Sequence, residues 1–418
     1  MHKDRLVFDE EKLENGIRVF FYPMDVPFSE IKISIPFGHV NNTGDIASGT
    51  FHFLEHSVLN RSKKHPEKNE FSKLVSLRGG YLNATTNLFS TDYILEIPVD
   101  IFDTGFVGLL SHIYDPLITK EDIEIESSII LNERKRKGPW WPGDNEMQYY
   151  LNRKWRASTP LELVDRLGTD ESLKSMTPEY LYTIHKAYSS NRTVVFVGGR
   201  YNRNLVCQEL SKIKTKDINL PQNYNKLSWS EKQYHETAFT DTHRYTYYYG
   251  GILPELNIET SVTLEFLLKY LTNNVHGMLY QWLREEKGWV YEVSHRIGLD
   301  YEGSTYWSIS LPFSTPEHVQ SARLQLHDKI KEALLDERKI KLELDRRIYE
   351  SLFFYQTLKS VIDEADSIFY SYKKIYSEAD FLSLIKECAT VEKMRAAYEK
   401  YMAPSVTGEF LATPKTKN

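Results

Sequence analysis

Five residues, His52-Phe53-Leu54-Glu55-His56, constrain this chain more than any others. Two imidazoles four positions apart, with a carboxylate beside the second, converge on one point when the segment is helical. On an α-helix, residues i and i+4 lie about 40° apart around the axis at roughly 1.5 Å of rise per residue, so both rings can reach one ion. Glu55 falls on the same side, placed to take a proton from water that zinc makes acidic near neutral pH. The alternative is an ordinary amphipathic helix, with Phe51, Leu54 and Val58 at i, i+3 and i+7 toward a core and two histidines that share a turn.

A catalytic zinc takes three protein ligands and keeps one position open, so the motif has to be completed from elsewhere. Glu133 lies in the run Lys120 to Lys137, KEDIEIESSIILNERKRK. Thr119 and Asp122 have capping-box spacing there, acids crowd its start and bases its end, and each of these favours a helix. Gly138 and Pro139 are expected to end it. Glu126 sits two turns before Glu133 on the same face, and about 10 Å of axial separation keeps both from binding one ion, which leaves Glu126 an outer-shell role. Without the first motif, this run reads as an exposed, charge-laced helix.

The order His-x-x-Glu-His reverses the commoner zincin motif. With its surroundings, it resembles the inverzincin family of insulysin, pitrilysin and the mitochondrial processing peptidases. Gly38, Gly44, Asp45, Ala47 and Gly49 precede the motif as the family's approach loop does, and Lys63-Lys64-His65-Pro66 to Glu70-Phe71 follows it. Gly79-Gly80-Tyr81-Leu82-Asn83-Ala84-Thr85-Thr86, then Thr91-Asp92-Tyr93, resembles the family's substrate-facing hairpin. The resemblance implies His52, His56 and Glu133 as ligands of one Zn2+ per chain, Glu55 as general base and Glu126 as the outer-shell glutamate. It also implies Asn83 and Ala84 as an edge to which an extended peptide adds as a strand. Arg284 and Tyr291, in Arg284-Glu-Glu-Lys-Gly288-Trp289-Val290-Tyr291, resemble the pair that grips substrate and stabilises the oxyanion from a remote domain. One departure stands out: the family runs on from its second histidine into a Gly-Thr pair, whereas this chain has Ser57-Val58-Leu59-Asn60-Arg61-Ser62.

At 418 residues the chain fits two domains of about 200 residues. We expect an α+β fold of two similar domains, each a mainly antiparallel sheet packed by helices: 1–218 with the zinc site, a linker at 219–238, and 239–418 without the zinc motif but with the Arg/Tyr pair. A loose internal repeat supports this. Leu77-x-x-Gly80-Tyr81-Leu82-Asn83, followed by a strand ending at Pro98, returns as Arg284-x-x-x-Gly288-Trp289-Val290-Tyr291, followed by a strand ending at Pro312. Strands are expected at Ile17–Tyr22, Ile31–Phe37, Ser90–Pro98 and Arg192–Val197, the last stopped by Gly198-Gly199. Helices are expected at Glu67–Arg78, Ile101–Ile113, Asn202–Lys212, Glu317–Asp336 and Ile340–Tyr372, with Phe353, Phe354, Tyr355, Phe369 and Tyr370 in a core.

The formal charge of −6 and pI near 6.2 carry no nucleic-acid footprint, and no apolar run reaches membrane-spanning length. Cys207 and Cys388 are too few for a disulfide framework, and the amino-terminal residues lack signal-peptide character, so the cytoplasm is the expected location. Together these readings predict a zinc endopeptidase acting on short peptides or leader segments inside a chamber closed by a second chain of the same family, as a homodimer or heterodimer. The alternatives are a silent scaffold subunit and a zinc-holding peptide carrier.

Overall fold

The computed structural model describes residues 5–137, 166–222, 234–239, 242–253, 257–273, 275–299 and 305–415. Gly138 and Pro139, and residues 223–233 of the expected linker, lie outside them.

Six strands form the first sheet: β1 (Asp9–Lys12), β2 (Arg18–Pro23), β3 (Phe28–Ile35), β4 (Tyr81–Thr86), β5 (Thr91–Pro98) and β6 (Val194–Gly199), in the order β1-β2-β6-β3-β5-β4. All pairings are antiparallel except β2 with β6. Alternation splits the side chains between two cores. Val19, Phe21, Ile31, Ile33, Val195 and Val197 face one way, toward α1 (Thr50–Val58), α2 (Glu70–Leu77), α3 (Phe102–Tyr114) and α4 (Lys120–Lys137). Phe20, Val194 and Phe196 face the other way.

That second face is covered by the helix Leu358–Tyr372, far along the chain, through Leu358, Val361, Ile362, Ala365 and Phe369. Gly198 and Gly199 are therefore the last two residues of β6, paired with Tyr22 and Pro23, and do not lie beyond its end. A Cβ at Gly198 would come within 2.5 Å of Leu358, so glycine there lets the helix approach. The long helix expected over 340–372 is likewise two: Glu337–Phe354, then a new start at Thr357, whose hydroxyl accepts from the Ser360 amide. The chain turns between them to reach the first sheet. Phe353 and Phe354 are correspondingly solvent-exposed, 78% and 52%, and belong to no core.

The second sheet has the order β7-β11-β8-β10-β9, built from β7 (His235–Phe239), β8 (Tyr245–Leu253), β9 (Ser294–Leu299), β10 (Thr305–Phe313) and β11 (Thr407–Pro414). Among the described residues, its one parallel pair is β7 with β11. Strand for strand, this repeats β2-β6-β3-β5-β4 in order and direction. Residues 235–238, assigned to the linker from sequence, run as β7. The sequence repeat is offset in space: Tyr81 begins β4 directly, whereas its counterpart Trp289 comes five residues before β9. Among the described residues, no helix is long and apolar enough to cross a membrane.

Candidate metal centre

α1 is almost wholly buried: Phe51, Phe53, Leu54 and Val58 anchor it to the core, and His52 is buried with them. Its start depends on Gly49, which has φ of 78° and whose Cβ would come 2.5 Å from the Gly168 amide nitrogen, so only glycine fits. One face of the helix thus serves the core, through Phe51, Leu54 and Val58, and the other carries the histidines.

α4 lies alongside α1, its start fixed by Thr119, whose hydroxyl accepts from the Asp122 amide at 3.1 Å. This brings Glu133 to the histidines: His52 Nε2 and Glu133 Oε2 are 3.6 Å apart, and the His52 and His56 ring centroids 4.7 Å. One donor atom from each of His52, His56 and Glu133 lies within 4.8 Å of the others, and among the described residues this is the one such group. A tetrahedral zinc with bonds of about 2.0–2.2 Å sets its donors roughly 3.3–3.5 Å apart, so the set needs to contract by about 1.5 Å at most. Two imidazoles and a carboxylate are also the donor chemistry zinc takes, and the group fits.

Glu126 sits one layer behind. His56 Nδ1 and Glu126 Oε2 are 3.1 Å apart, which leaves Nε2 as the nitrogen for a metal. The other Glu126 oxygen accepts from Asn60 Nδ2 at 3.0 Å and Lys68 Nζ at 3.4 Å, and Arg61 Nε donates to Asp122 Oδ2 at 2.7 Å. The segment that departs from the family pattern thus holds the outer shell, through Asn60 and Arg61. Burial works against a charged His56, but the bond to Glu126 and the charges of Glu55 and Glu133 raise its pKa. Burial works against a charged Glu126 as well, yet His56, Asn60 and Lys68 hold it below the ordinary carboxylate value.

Burial also pushes the Glu55 carboxyl up, against the lowering influence of His56 and of Thr86, whose hydroxyl donates to Glu55 Oε2 at 2.8 Å. Thr86, Asn60 and Lys68 were not singled out as site residues from sequence. Their partners are 31, 66 and 58 positions away, and no local pattern marks such pairs. Among the described residues β4 is an edge strand, on which Asn83 is exposed and Ala84 buried, and its Thr86 reaches Glu55.

Arg284 and Tyr291 are grouped with each other and not with this cluster. Arg284 lies on a π-helical turn, Gln281–Glu286, before the edge strand β9. Its guanidinium donates to the Tyr291 carbonyl at 2.5 Å and stacks 4.7 Å from the Tyr291 ring and 5.0 Å from that of Tyr280. Tyr291 is 64% exposed.

A two-helix cluster of His, His and Glu over one of two repeated α+β units is the architecture of a metallopeptidase-like chain, and comparison with known proteins agrees. The family model described as insulinase, peptidase family M16, matches residues 22–158, and that of the peptidase M16 inactive domain matches 175–341. Together they span more than half of the sequence: the chain belongs to the M16 peptidase family. Human insulin-degrading enzyme is 24% identical over 242 residues, which make up 53% of this chain and 22% of that protein, so the match spans less than a quarter of the relative's length. A protease from Helicobacter pylori has the same fold, with TM-score 0.79 at 16% identity over 98% of this chain and 99% of that one. The periplasmic protease PqqL from Escherichia coli gives 0.73 at 13% identity over 99% of this chain and 47% of that one.

Proposed function

We propose that this chain is a zinc-dependent endopeptidase that cleaves short peptides or leader segments inside a chamber closed by a dimer. The observation that carries this reading is the placement of Glu55 beside the His52–His56–Glu133 set, on the side of the β4 edge. Members of the M16 family are generally zinc-dependent. When bound by His52, His56 and Glu133, zinc supplies Lewis acidity, polarising a peptide carbonyl and acidifying water.

The chain's own groups do the rest. Glu126 fixes the tautomer and ring plane of His56. Glu55 accepts the proton of the attacking water and returns it to the leaving amine, and Thr86 holds the carboxylate in place. Asn83 and Ala84 present the edge to which the substrate backbone adds as a strand, orienting its carbonyl. Tyr291, exposed just before the edge strand β9, and Arg284, half-buried against it, supply donors to the oxyanion and substrate backbone of a site in a partner chain.

A silent subunit is the competing reading, favoured by the inactive-domain match over 175–341. That match covers the part of the chain without the zinc motif. The decisive experiment mixes Glu55→Gln with the Arg284→Ala/Tyr291→Phe double variant, each inactive alone, under conditions of subunit exchange. A shared site regains about a quarter of parental hydrolysis of a quenched peptide, since half the dimers are mixed and each has one intact site of two. No hydrolysis by the zinc-loaded parent, alone or with a sister chain, would establish the silent reading.

A further inference from the structure

The helix Leu358–Tyr372 belongs to the later half of the chain, yet a run of polar contacts, joined through the Thr86–Asn87 peptide, leads from it to Glu55. Lys32, in the middle of β3, is buried on the face that this helix covers. Its Nζ lies 2.5 Å from Asp366 Oδ2, 3.5 Å from Asp363 Oδ1 and 3.7 Å from Asp92 Oδ2. Ser34 donates to the other Asp366 oxygen at 3.4 Å. Asp92 Oδ2 in turn accepts from Asn87 Nδ2 at 2.8 Å.

Asn87 begins the β4–β5 turn. Its amide donates to the Ser90 carbonyl at 2.7 Å, while its own carbonyl and that of Leu88 accept from the amides of His39 and Val40, both at 2.9 Å. The helix grips the same turn a second time, since the Tyr370 hydroxyl donates to the Phe89 carbonyl at 3.2 Å. Thr86, whose hydroxyl bonds Glu55, immediately precedes this turn.

We propose that Asp366, Lys32 and Tyr370 are positioning residues for the general base: the Leu358–Tyr372 helix sets the β4–β5 turn, and the turn sets the Thr86 hydroxyl on Glu55. The physical case rests on desolvation. One ammonium is shared among carboxylates from β5 and from the helix at a buried interface, and such groups hold their geometry because losing a partner leaves a buried charge uncompensated. The turn inherits that rigidity through Asn87. A catalytic carboxylate displaced by about 1 Å forfeits roughly 100-fold in rate, so the anchoring of its single hydroxyl partner bears on turnover. This places the two halves of one chain in a cooperative relation at the site, separate from any contribution by a partner chain. It rests on the reading of Glu55 as the base.

The test uses the full-length, zinc-loaded protein with Asp366→Asn, Tyr370→Phe and Thr86→Val, singly and in pairs. Asp366→Asn and Tyr370→Phe are expected to lower kcat by about 10-fold and about 3-fold, with KM and zinc content unchanged. Neither loss should add in full to that of Thr86→Val, because all three act on Glu55 through Thr86, whose hydroxyl and backbone both bond it. Hydrogen exchange supplies a readout independent of hydrolysis: amides of 87–90 exchange faster in both helix variants, with or without zinc, while those of α1 keep the parental rate. Tyr370→Phe removes one hydroxyl only, and keeps the test alive where Asp366→Asn does not fold. Losses that multiply with that of Thr86→Val, or turn amides that exchange at the parental rate, would overturn the proposal. So would a Thr86→Val enzyme with parental kcat. The base assignment itself is decided separately by Glu55→Gln, so a failure of either claim is distinguishable from a failure of the other.

Discussion

The two sheets share strand order and direction, and the helices between their strands correspond in sequence order, yet the equivalent positions hold different chemistry. In the first unit, α1 and α4 face each other across His52, His56, Glu126 and Glu133. The helices in the same places of the second unit are Ile258–Thr272, after β8, and Glu337–Phe354, after β10. They face each other across Glu265, Lys269, Arg347 and Glu350: Lys269 Nζ lies 3.0 Å from Glu265, and Arg347 lies 3.2 Å from Glu265 and 2.6 Å from Glu350. One helix pair thus converges imidazoles and acids that favour a cation between them. The other carries its own cations, so the acids are neutralised from within. The lesson is that this packing brings two helix faces together in either unit, and the residue types on those faces decide between a metal centre and an ion-pair network.

The largest expected effect strikes the first helix pair. Glu133→Gln removes a charged ligand and is expected to weaken zinc binding by more than about 100-fold, while Glu126→Gln, acting through His56, costs about 10- to 100-fold in affinity or activity. Zinc titration of the apo proteins separates them, and equal affinity for the Glu133 variant and the parent would remove Glu133 from the ligand set. In the second pair, Arg347→Met is expected to lower stability by about 1–2 kcal/mol, moderated by the partial exposure of Glu265 and Glu350, with no change in zinc affinity. A denaturant melt run beside a zinc titration checks both halves of that statement, and a zinc effect as large as that of Glu126→Gln would break the distinction.

The last effect lies in neither cluster. Glu30, buried on β3 opposite Glu96, has its carboxyl pushed up to about 7 from an ordinary 4.5, chiefly by burial and then by Glu96. A carboxyl raised in the folded state keeps its proton there while the unfolded chain has lost it, so its stabilising contribution is present at acid pH and lost as pH rises through 7. A shift of this size sets a ceiling of about 3 kcal/mol. Glu30→Gln is therefore expected to raise the melting temperature at pH 8 and leave it unchanged at pH 4. An equal change at both pH values would contradict the assignment.

Much of this was legible in the sequence where the determinants are local. α4 occupies the run Lys120–Lys137 read from its capping residues and charge gradient, and the His52–His56 pair follows from helical period alone. The repeat was legible too, though its register was not: Trp289-Val290-Tyr291 falls before β9 because the connection after the π-helical turn runs from Lys287 to Val293, where only Arg78 to Gly80 separates α2 from β4, a difference that no alternation pattern encodes. What stayed hidden depends on residues distant in sequence. Gly198-Gly199 reads as a strand stop until Leu358 is seen against it, and the break at Tyr355 to Thr357 has its reason in a sheet more than 150 positions upstream. Thr86 gave no signal of its own, because a threonine in a hairpin looks the same whether or not a carboxylate lies above it.

The measurement that bears most directly on the central claim is made on Glu55→Gln, with zinc content and peptide hydrolysis determined on the same preparation. Glu55 touches Thr86 and lies beside the ligand set without belonging to it. The variant is predicted to hold one zinc per chain with parental affinity and to lose about 100- to 10,000-fold in kcat. A variant that loses its zinc, or one that keeps near-parental turnover, would contradict the assignment of Glu55 as the base of a zinc peptidase site.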